Sequence, residues 1–274
     1  MSFSQKGNEL PQFVVCPPGD AYVGAHDLAA HNLTASADLK RARAQHTALR
    51  QTLAACGVEV LRIQELVGHP NSVFVQDVAL ATPRGFIRLR MGLPSRRGEP
   101  AWMAQYLAAR GVPEVGRIVA PGTVEGGDVI LADDVAFVGR SSRTNDAGIA
   151  QLAALLEPQG FTLRVADVPP PSLHIGGMLS LVGPRQVLAC AEVFPMGYFE
   201  GFEIIRVSRT DFISGNVIGL GAGQIIAEAG NVGAMAALEQ VGFTVHSLDL
   251  SEFVKGTGGP SCLILPLRWG KRLR

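Results

Sequence analysis

Short apolar runs broken by turn residues recur along this chain and set its hydrophobic pattern. Val129-Ile130-Leu131 and Val135-Ala136-Phe137-Val138 flank Ala132-Asp133-Asp134, which reads as strand, turn, strand. The period then changes. Ile149, Leu152, Leu155 and Leu156 fall at helical spacing, Thr144-Asn145-Asp146 is placed to cap their helix, and Gly160 stops it before a strand over 161–165. The segment 37–55 likewise predicts a helix, closed by Gly57 ahead of a strand over 58–63.

This unit repeats. Asp77 and Asp128 align at a spacing of 51, which also aligns Phe86-Ile87 with Phe137-Val138. Fifty residues on, Gly127 maps to Gly177 and Phe137-Val138 to Val187-Leu188. Gly215-Asn216-Val217-Ile218 matches Gly127-Asp128-Val129-Ile130, and Cys262-Leu263-Ile264-Leu265 starts another copy. Equivalent positions are therefore Asp77, Asp128, Met178, Asn216 and Cys262. Five units that cannot each bury a face alone must close into a ring. Few residues follow Cys262, so the strand near Phe13-Val14-Val15 is expected to complete the last unit. In such a ring the equivalent strand ends meet at one central site.

Candidate chemistry sits on those ends. Glu125-Gly-Gly-Asp128, Leu173-His174-Ile-Gly-Gly177 and Gly258-Gly-Pro-Ser-Cys262 bring a carboxylate, an imidazole and a thiol, each beside glycines that allow a ligand close to the backbone. These are the parts of a cysteine-nucleophile enzyme. Cys16, Cys56 and Cys190 lie in apolar contexts and read as buried small hydrophobes. His26, His31, His46, His69 and His246 have no companions and read as surface or structural residues.

Bulk composition changes this picture little. Lys plus Arg equals Asp plus Glu at 24 each, which leaves no electrostatic footprint for nucleic acid or an anionic membrane. No apolar run approaches the ~20 residues of a membrane span. Met1-Ser-Phe-Ser-Gln-Lys6 is followed by no secretory core. Four separated cysteines without a Cys-x-x-Cys pair indicate neither a zinc site nor a disulfide framework, so a reduced, cytoplasmic setting is expected. Pro169-Pro170-Pro171-Ser172 is the one stretch resembling a linker. His174 and Cys262 lie on one side of it and Glu125 on the other, so it reads as a stiff loop inside one domain over 1–274.

Ser72-Val-Phe-Val-Gln-Asp77, Pro94-Ser-Arg-Arg-Gly-Glu99, Glu125-Gly-Gly-Asp128, Phe137-Val-Gly-Arg-Ser-Ser-Arg-Thr-Asn145, Leu173-His174 and Gly258-Gly-Pro-Ser-Cys262 run in one order over nearly the whole chain. In them the chain resembles the dimethylarginine dimethylaminohydrolases of the guanidine-modifying (pentein) superfamily. That resemblance implies a five-bladed α/β propeller and hydrolysis of linear amidines with no metal and no cofactor. It implies Cys262 as nucleophile on the guanidinium carbon, His174 as general acid and then base, and Glu125 as the carboxylate that orients and charges His174. Asp77 matches an acid holding the guanidinium, and Arg96 and Arg143 match a pair gripping the substrate's α-carboxylate. Asp128 reads equally as a ligand contact and as a turn residue bonding backbone amides.

Two positions depart from the family's pattern: Asn71 and Gln76 stand where acids are expected. Loss of a charge-assisted hydrogen bond at each would weaken the hold on a guanidinium by ~1–3 kcal/mol. The expected function is hydrolysis of a methylated arginine to citrulline and an amine. An arginine deiminase or an amidinotransferase is the alternative within the same chemistry. A propeller that only binds arginine-like ligands is the alternative outside it, and Glu125, His174 and Cys262 argue against that, since a binding module needs no thiol facing an imidazole. The expected partner is a small guanidino molecule, with no nucleic acid and no membrane, and a homodimer is left open as the assembly.

Overall fold

In a computed structural model of the chain, residues 10–268 are described. Met1–Lys6, read above for a secretory signal, lie outside them. The chain begins with β1 (Gln12–Val15) and, after a long helix, β2 (Glu59–Arg62). Four groups of three strands follow: β3 (Ala79–Thr82), β4 (Gly85–Arg88) and β5 (Glu114–Arg117); β6 (Val129–Ala132), β7 (Val135–Arg140) and β8 (Thr162–Asp167); β9 (Leu179–Gly183), β10 (Gln186–Ala189) and β11 (Glu203–Arg206); β12 (Val217–Gly221), β13 (Gln224–Glu228) and β14 (Thr244–Leu248). The last strand, β15 (Leu265–Arg268), returns to pair with β1.

All five sheets share one plan. The inner and middle strands pair antiparallel, as a hairpin in four of the sheets, and the outer strand joins the middle one in parallel, as in β6-β7-β8. The parallel partner must arrive by a crossover, and that is where the helices sit. In the fifth sheet the inner strand is β15 and the others are β1 and β2, so the N-terminal strand completes the last blade as the repeat requires. Two or three residues from each inner strand line a single axial cavity of about 110 Å³, which shows the ring to be closed.

Local sequence explains most elements. Asp133 adopts φ 51 in the two-residue turn between β6 and β7, the left-handed conformation such hairpins need. Asn145 caps the helix Asp146–Leu156 by accepting from Gly148 N at 2.8 Å, and Gly160 takes φ 94 after it. The first long helix starts at Leu39 rather than 37, because the Asp38 side chain accepts from Arg41 N and fixes the cap there. Strand β8 runs one to two residues beyond the predicted 161–165, since its register is set by parallel pairing with β7. Helices Glu99–Ala108 and Val232–Gln240 fill the crossovers of two further blades. The third blade has an aromatic loop instead, whose Tyr198, Phe199 and Phe202 pack on the Phe137 ring.

Ring closure places the repeat-equivalent residues together. Asp77, Asp128, Met178 and Asn216 stand one or two residues before an inner strand, and Cys262 stands three before β15. The seam where β1 meets β15 and β2 depends on Phe13, which is 1% exposed and packs with Leu49, Leu53, Val58 and Phe253. Truncating a buried Phe removes its transfer energy and leaves a cavity. Phe13→Ala should lower the free energy of unfolding by ~3–5 kcal/mol in a denaturant titration; a loss under 1 kcal/mol would mean that the seam is not part of the cooperative ring.

Candidate active site

Tight turns at the head of each inner strand deliver the functional side chains. Asp77 lies in the turn Val75–Val78, Glu125 precedes the turn Gly126–Asp128, His174 precedes Ile175–Gly177, and Cys262 lies in Pro260–Leu263. The glycine pair after Glu125 has a steric cause. A Cβ on Gly126 would overlap the Gln76 carbonyl oxygen, and one on Gly127 would come within 2.6 Å of His174 Nδ1 and 2.9 Å of Asp77 Oδ1. Only bare backbone lets these blades approach so closely.

At the hub, Glu125 Oε2 lies 2.9 Å from His174 Nε2. Its other oxygen accepts from the backbone N–H groups of Gly92 and Leu93 at 3.0 and 3.2 Å. Burial alone would push the Glu125 carboxyl up, but the bonded and charged imidazole, with Arg96 and Arg143 nearby, holds it well below the usual range. His174 moves the opposite way. Burial disfavours its cation, yet Asp128, Asp77 and Glu125 together raise its pKa above the ordinary imidazole value. The pair is therefore an imidazolium and a carboxylate at neutral pH.

Asp77 Oδ1 accepts from Gly127 N at 3.0 Å and lies 4.0 Å from His174 Nδ1, while Oδ2 accepts from Arg96 Nη1 at 2.6 Å. Cys262 shares a small cavity of about 20 Å³ with Asp77, Glu125, His174, Asn71, Arg96 and Arg143. Burial, reinforced by Asp77, pushes the Cys262 thiol up to about 12, so it rests protonated. The Asn216 amide N–H groups face Ser261 Oγ at 2.8 Å and Cys262 Sγ at 3.9 Å. Asp77, Glu125 and His174 also offer one ligand atom each within 4.8 Å of one another, the spacing a divalent cation would require. Those atoms are instead bonded to each other, to backbone amides and to Arg96.

Three of the candidate substrate-binding residues have other partners here, and Asp128 follows its reading as a residue that bonds a backbone amide. Arg96 is not a free clamp beside Arg143. Its Nε and Nη2 donate to Glu99 Oε2 at 2.9 and 2.8 Å, Nη1 donates to Asp77, and Nη2 also reaches the carbonyls of Phe74 and Asn71. Asp128 is fully buried and does not line the cavity: Ser141 Oγ and Ile175 N donate to its two oxygens, which fixes the residue after His174 and the loop leading to Arg143. Gln76 points away from the cavity. It lines the axial chamber below and accepts from Ser261 Oγ at 3.4 Å. By contrast the Arg143 guanidinium, 4.0 Å from Glu125 Oε1, makes no hydrogen bond among the described residues. Asn71 does line the cavity.

Glu99 was not anticipated. It is fully buried behind Arg96, and burial lifts its carboxyl to about 7 against the pull of Arg96. Its place three residues after Arg96, beside a helix start, was the available signal. Asn216 was recognised only as a repeat equivalent; an amide at a position occupied elsewhere by Asp and Cys is the clue that it belongs to the hub.

Known proteins share this arrangement of blades. The family model for eukaryotic N,N dimethylarginine dimethylhydrolase matches residues 25–269. The chain is 33% identical over 231 residues to the N(G),N(G)-dimethylarginine dimethylaminohydrolase of Pseudomonas aeruginosa, covering 83% of this chain and 89% of that protein. It is 30% identical over 251 residues to the Streptomyces coelicolor protein of the same name, covering 89% and 93%. A crystal structure of the Pseudomonas aeruginosa enzyme, a cysteine-to-serine mutant complexed with citrulline, superposes with a TM-score of 0.83 at 30% identity over 94% of this chain and 99% of that one. The N-terminal domain of ArgZ, a cyanobacterial arginine dihydrolase, gives a TM-score of 0.83 at 18% identity over 95% of this chain and 98% of that one, and so shares the fold. With a matching family model over most of its length and the five-sheet ring in common, the chain belongs to the dimethylarginine dimethylaminohydrolase family of the pentein superfamily.

Proposed function

We propose that this chain hydrolyses N-methylated arginine to citrulline and a methylamine through a covalent intermediate on Cys262. The observation that carries the reading is the carboxylate-backed imidazole, Glu125 Oε2 to His174 Nε2 at 2.9 Å, lining one buried cavity with the Cys262 thiol. Relatives of about 30% identity carry the name of this activity, and one of them is complexed with citrulline.

The electrostatics order the steps. A guanidinium entering against Asp77 sets a cation beside the sulfur, which favours the thiolate that burial otherwise suppresses. The thiolate attacks the central carbon and forms the C–S bond. The C–N bond to the substituted nitrogen breaks as the His174 imidazolium gives up its proton, so the amine departs neutral. A thiouronium is left on Cys262, with a neutral imidazole held by Glu125. Water then adds to the carbon as His174 takes one of its protons; the C–S bond breaks as the new hydroxyl passes the other proton to the sulfur, which returns the Cys262 thiol and citrulline. Because Arg96 is committed to Asp77 and Glu99, Arg143 is assigned the substrate carboxylate, and Arg96 the positioning of Asp77. Asp128 positions His174 and the Arg143 loop. Asn71 is kept as a substrate contact; Gln76 is assigned to the layer beneath.

The same reading takes residues 1–274 as one propeller domain. It places the chain in the cytoplasm, in line with its four free cysteines; among the described residues no helix is long and apolar enough to cross a membrane. A homodimer is tested by sedimentation of the purified protein.

Release of the ureido product, citrulline from arginine, N-methylarginine, dimethylarginine and N-hydroxyarginine and its decarboxylated counterpart from agmatine, tests the function. Methylated arginines should lead, and agmatine, which lacks the carboxylate, should lose about one to two orders of magnitude in kcat/KM through one missing charge-assisted contact. Arg143→Ala should erase that difference. Arginine outpacing every methylated form would favour the deiminase reading, to which the neutral Asn71 and Gln76 are the pointers.

The pH profile follows from His174. Its pKa is raised to about 9, so the imidazolium needed for the first step is present at neutrality and is lost as pH rises through that value. Glu125→Gln removes one of the charges that raise it and leaves burial, which lowers it. The basic limb of the kcat profile should move to lower pH, with kcat reduced by ~10²–10⁴ at neutrality. An unmoved limb would contradict the assignment of the general acid.

A further inference from the structure

The cavity beneath the catalytic groups is too small for its proposed occupant. About 20 Å³ holds roughly one water, whereas sites for small organic ligands run to hundreds of Å³. A covering segment must therefore move for substrate to enter. The segment between the short helix Asp20–Val23 and the helix starting at Leu39 supplies Asn32 to the cavity wall. Its Leu33 is buried, and the rest is fastened mainly by polar ties. Ser95 Oγ donates to the Ala30 carbonyl at 2.8 Å, Asn32 Nδ2 to Thr257 Oγ1 at 2.8 Å, and Thr34 Oγ1 to the Lys255 carbonyl at 2.8 Å. Such a segment belongs to the low-stability end of a fold.

Thr34 N also donates to the Lys255 carbonyl and Thr257 Oγ1 to the Asn32 carbonyl, and a further tie comes from the active site itself. Asn71 Nδ2 donates to the His31 carbonyl at 2.9 Å. Asn71 is 4% exposed and lines the cavity, yet among the described residues its Oδ1 has no hydrogen-bond partner. A buried amide oxygen without a partner carries a desolvation cost that a ligand N–H would relieve. An aspartate here could not make the same tie, since a carboxylate has no N–H to give a carbonyl.

We propose that Asn71 is a specificity residue that couples substrate to the covering segment: its N–H fastens His31, and its free oxygen accepts a hydrogen bond from a substrate N–H. Ligand and cover are then held by one side chain, and each stabilises the other. The neutral amide also makes this contact indifferent to the charge of the guanidine. This inference rests on the reading of the cavity as the substrate site.

Hydrogen exchange of residues 28–34 and citrulline titrations of the full chain, run for wild type, Asn71→Asp and Asn71→Leu, separate the two roles. Asn71→Asp differs by one heavy atom and keeps the oxygen facing the cavity; Asn71→Leu keeps the volume and removes both functions. Without ligand, both variants should exchange faster than wild type over 28–34. Citrulline should bind Asn71→Leu more weakly than Asn71→Asp by roughly 2- to 10-fold, the worth of a neutral hydrogen bond. Unchanged exchange in Asn71→Asp would overturn the tie. Equal citrulline affinity in the two variants would overturn the substrate contact, because a purely structural role predicts no difference between them. Should wild type bind no citrulline, the assigned function fails, while the exchange comparison still decides the tie.

Discussion

Burial of charge at the hub is the constraint on which this structure depends. Asp77, Glu99, Glu125 and Asp128 are at most 4% exposed, and Arg96, Arg143 and His174 at most 9%. An ion taken out of water costs several kcal/mol unless it is paired and hydrogen-bonded. Each acid here has both kinds of partner or a cluster of donors. Glu125 has His174 and two backbone amides, Asp77 has Arg96 and Gly127, and Asp128 has Ser141 and Ile175. Asp77, Glu125 and Asp128 each draw partners from different blades, while Glu99 pairs with Arg96 of its own blade, so the charge network and the ring require each other. Asp128, Asp77 and Glu125 also explain why the imidazole holds its proton in so dry a place.

That network gives the substrate little room for error. Arg96 fixes Asp77 by a short bond and is itself fixed by Glu99, so the acid expected to meet the guanidinium cannot swing. Arg143 is the cation left with donors to give, beside the same Glu125 oxygen that the backbone N–H groups of Gly92 and Leu93 anchor. On the proposed reading, a zwitterionic arginine meets the Asp77 carboxylate and the Arg143 cation in the cavity that Cys262 also lines. Asn71 and Gln76 are neutral, and of the two only Asn71 lines that cavity.

Much of this was legible in the sequence because repeats carry it. Spacing alone placed Asp77, Asp128, Asn216 and Cys262 at equivalent strand heads and called for Phe13 to close the ring. Type of side chain then pointed to Glu125, His174 and Cys262. Helix caps were readable at Asn145 and misjudged at Asp38, because the apolar period continues past the true start. What stayed hidden depends on side-chain direction. Gln76 and Asp77 are neighbours in one turn, yet one faces the axial chamber and the other the cavity, and no periodicity applies inside so tight a turn. The commitment of Arg96 was hidden likewise, since its two acids lie 19 residues before and three after it.

The central claim is covalent catalysis by Cys262 with His174 serving both halves of the reaction. Intact-protein mass spectrometry after rapid quench of a His174→Gly variant mixed with N-methylarginine, or with a thiouronium analogue carrying a better leaving group, tests it most directly. The account predicts an added mass on the protein that maps to the peptide containing Cys262 and disappears in Cys262→Ser. Citrulline formed in a single turnover with no adduct at any time, or an adduct that persists in Cys262→Ser, would contradict it.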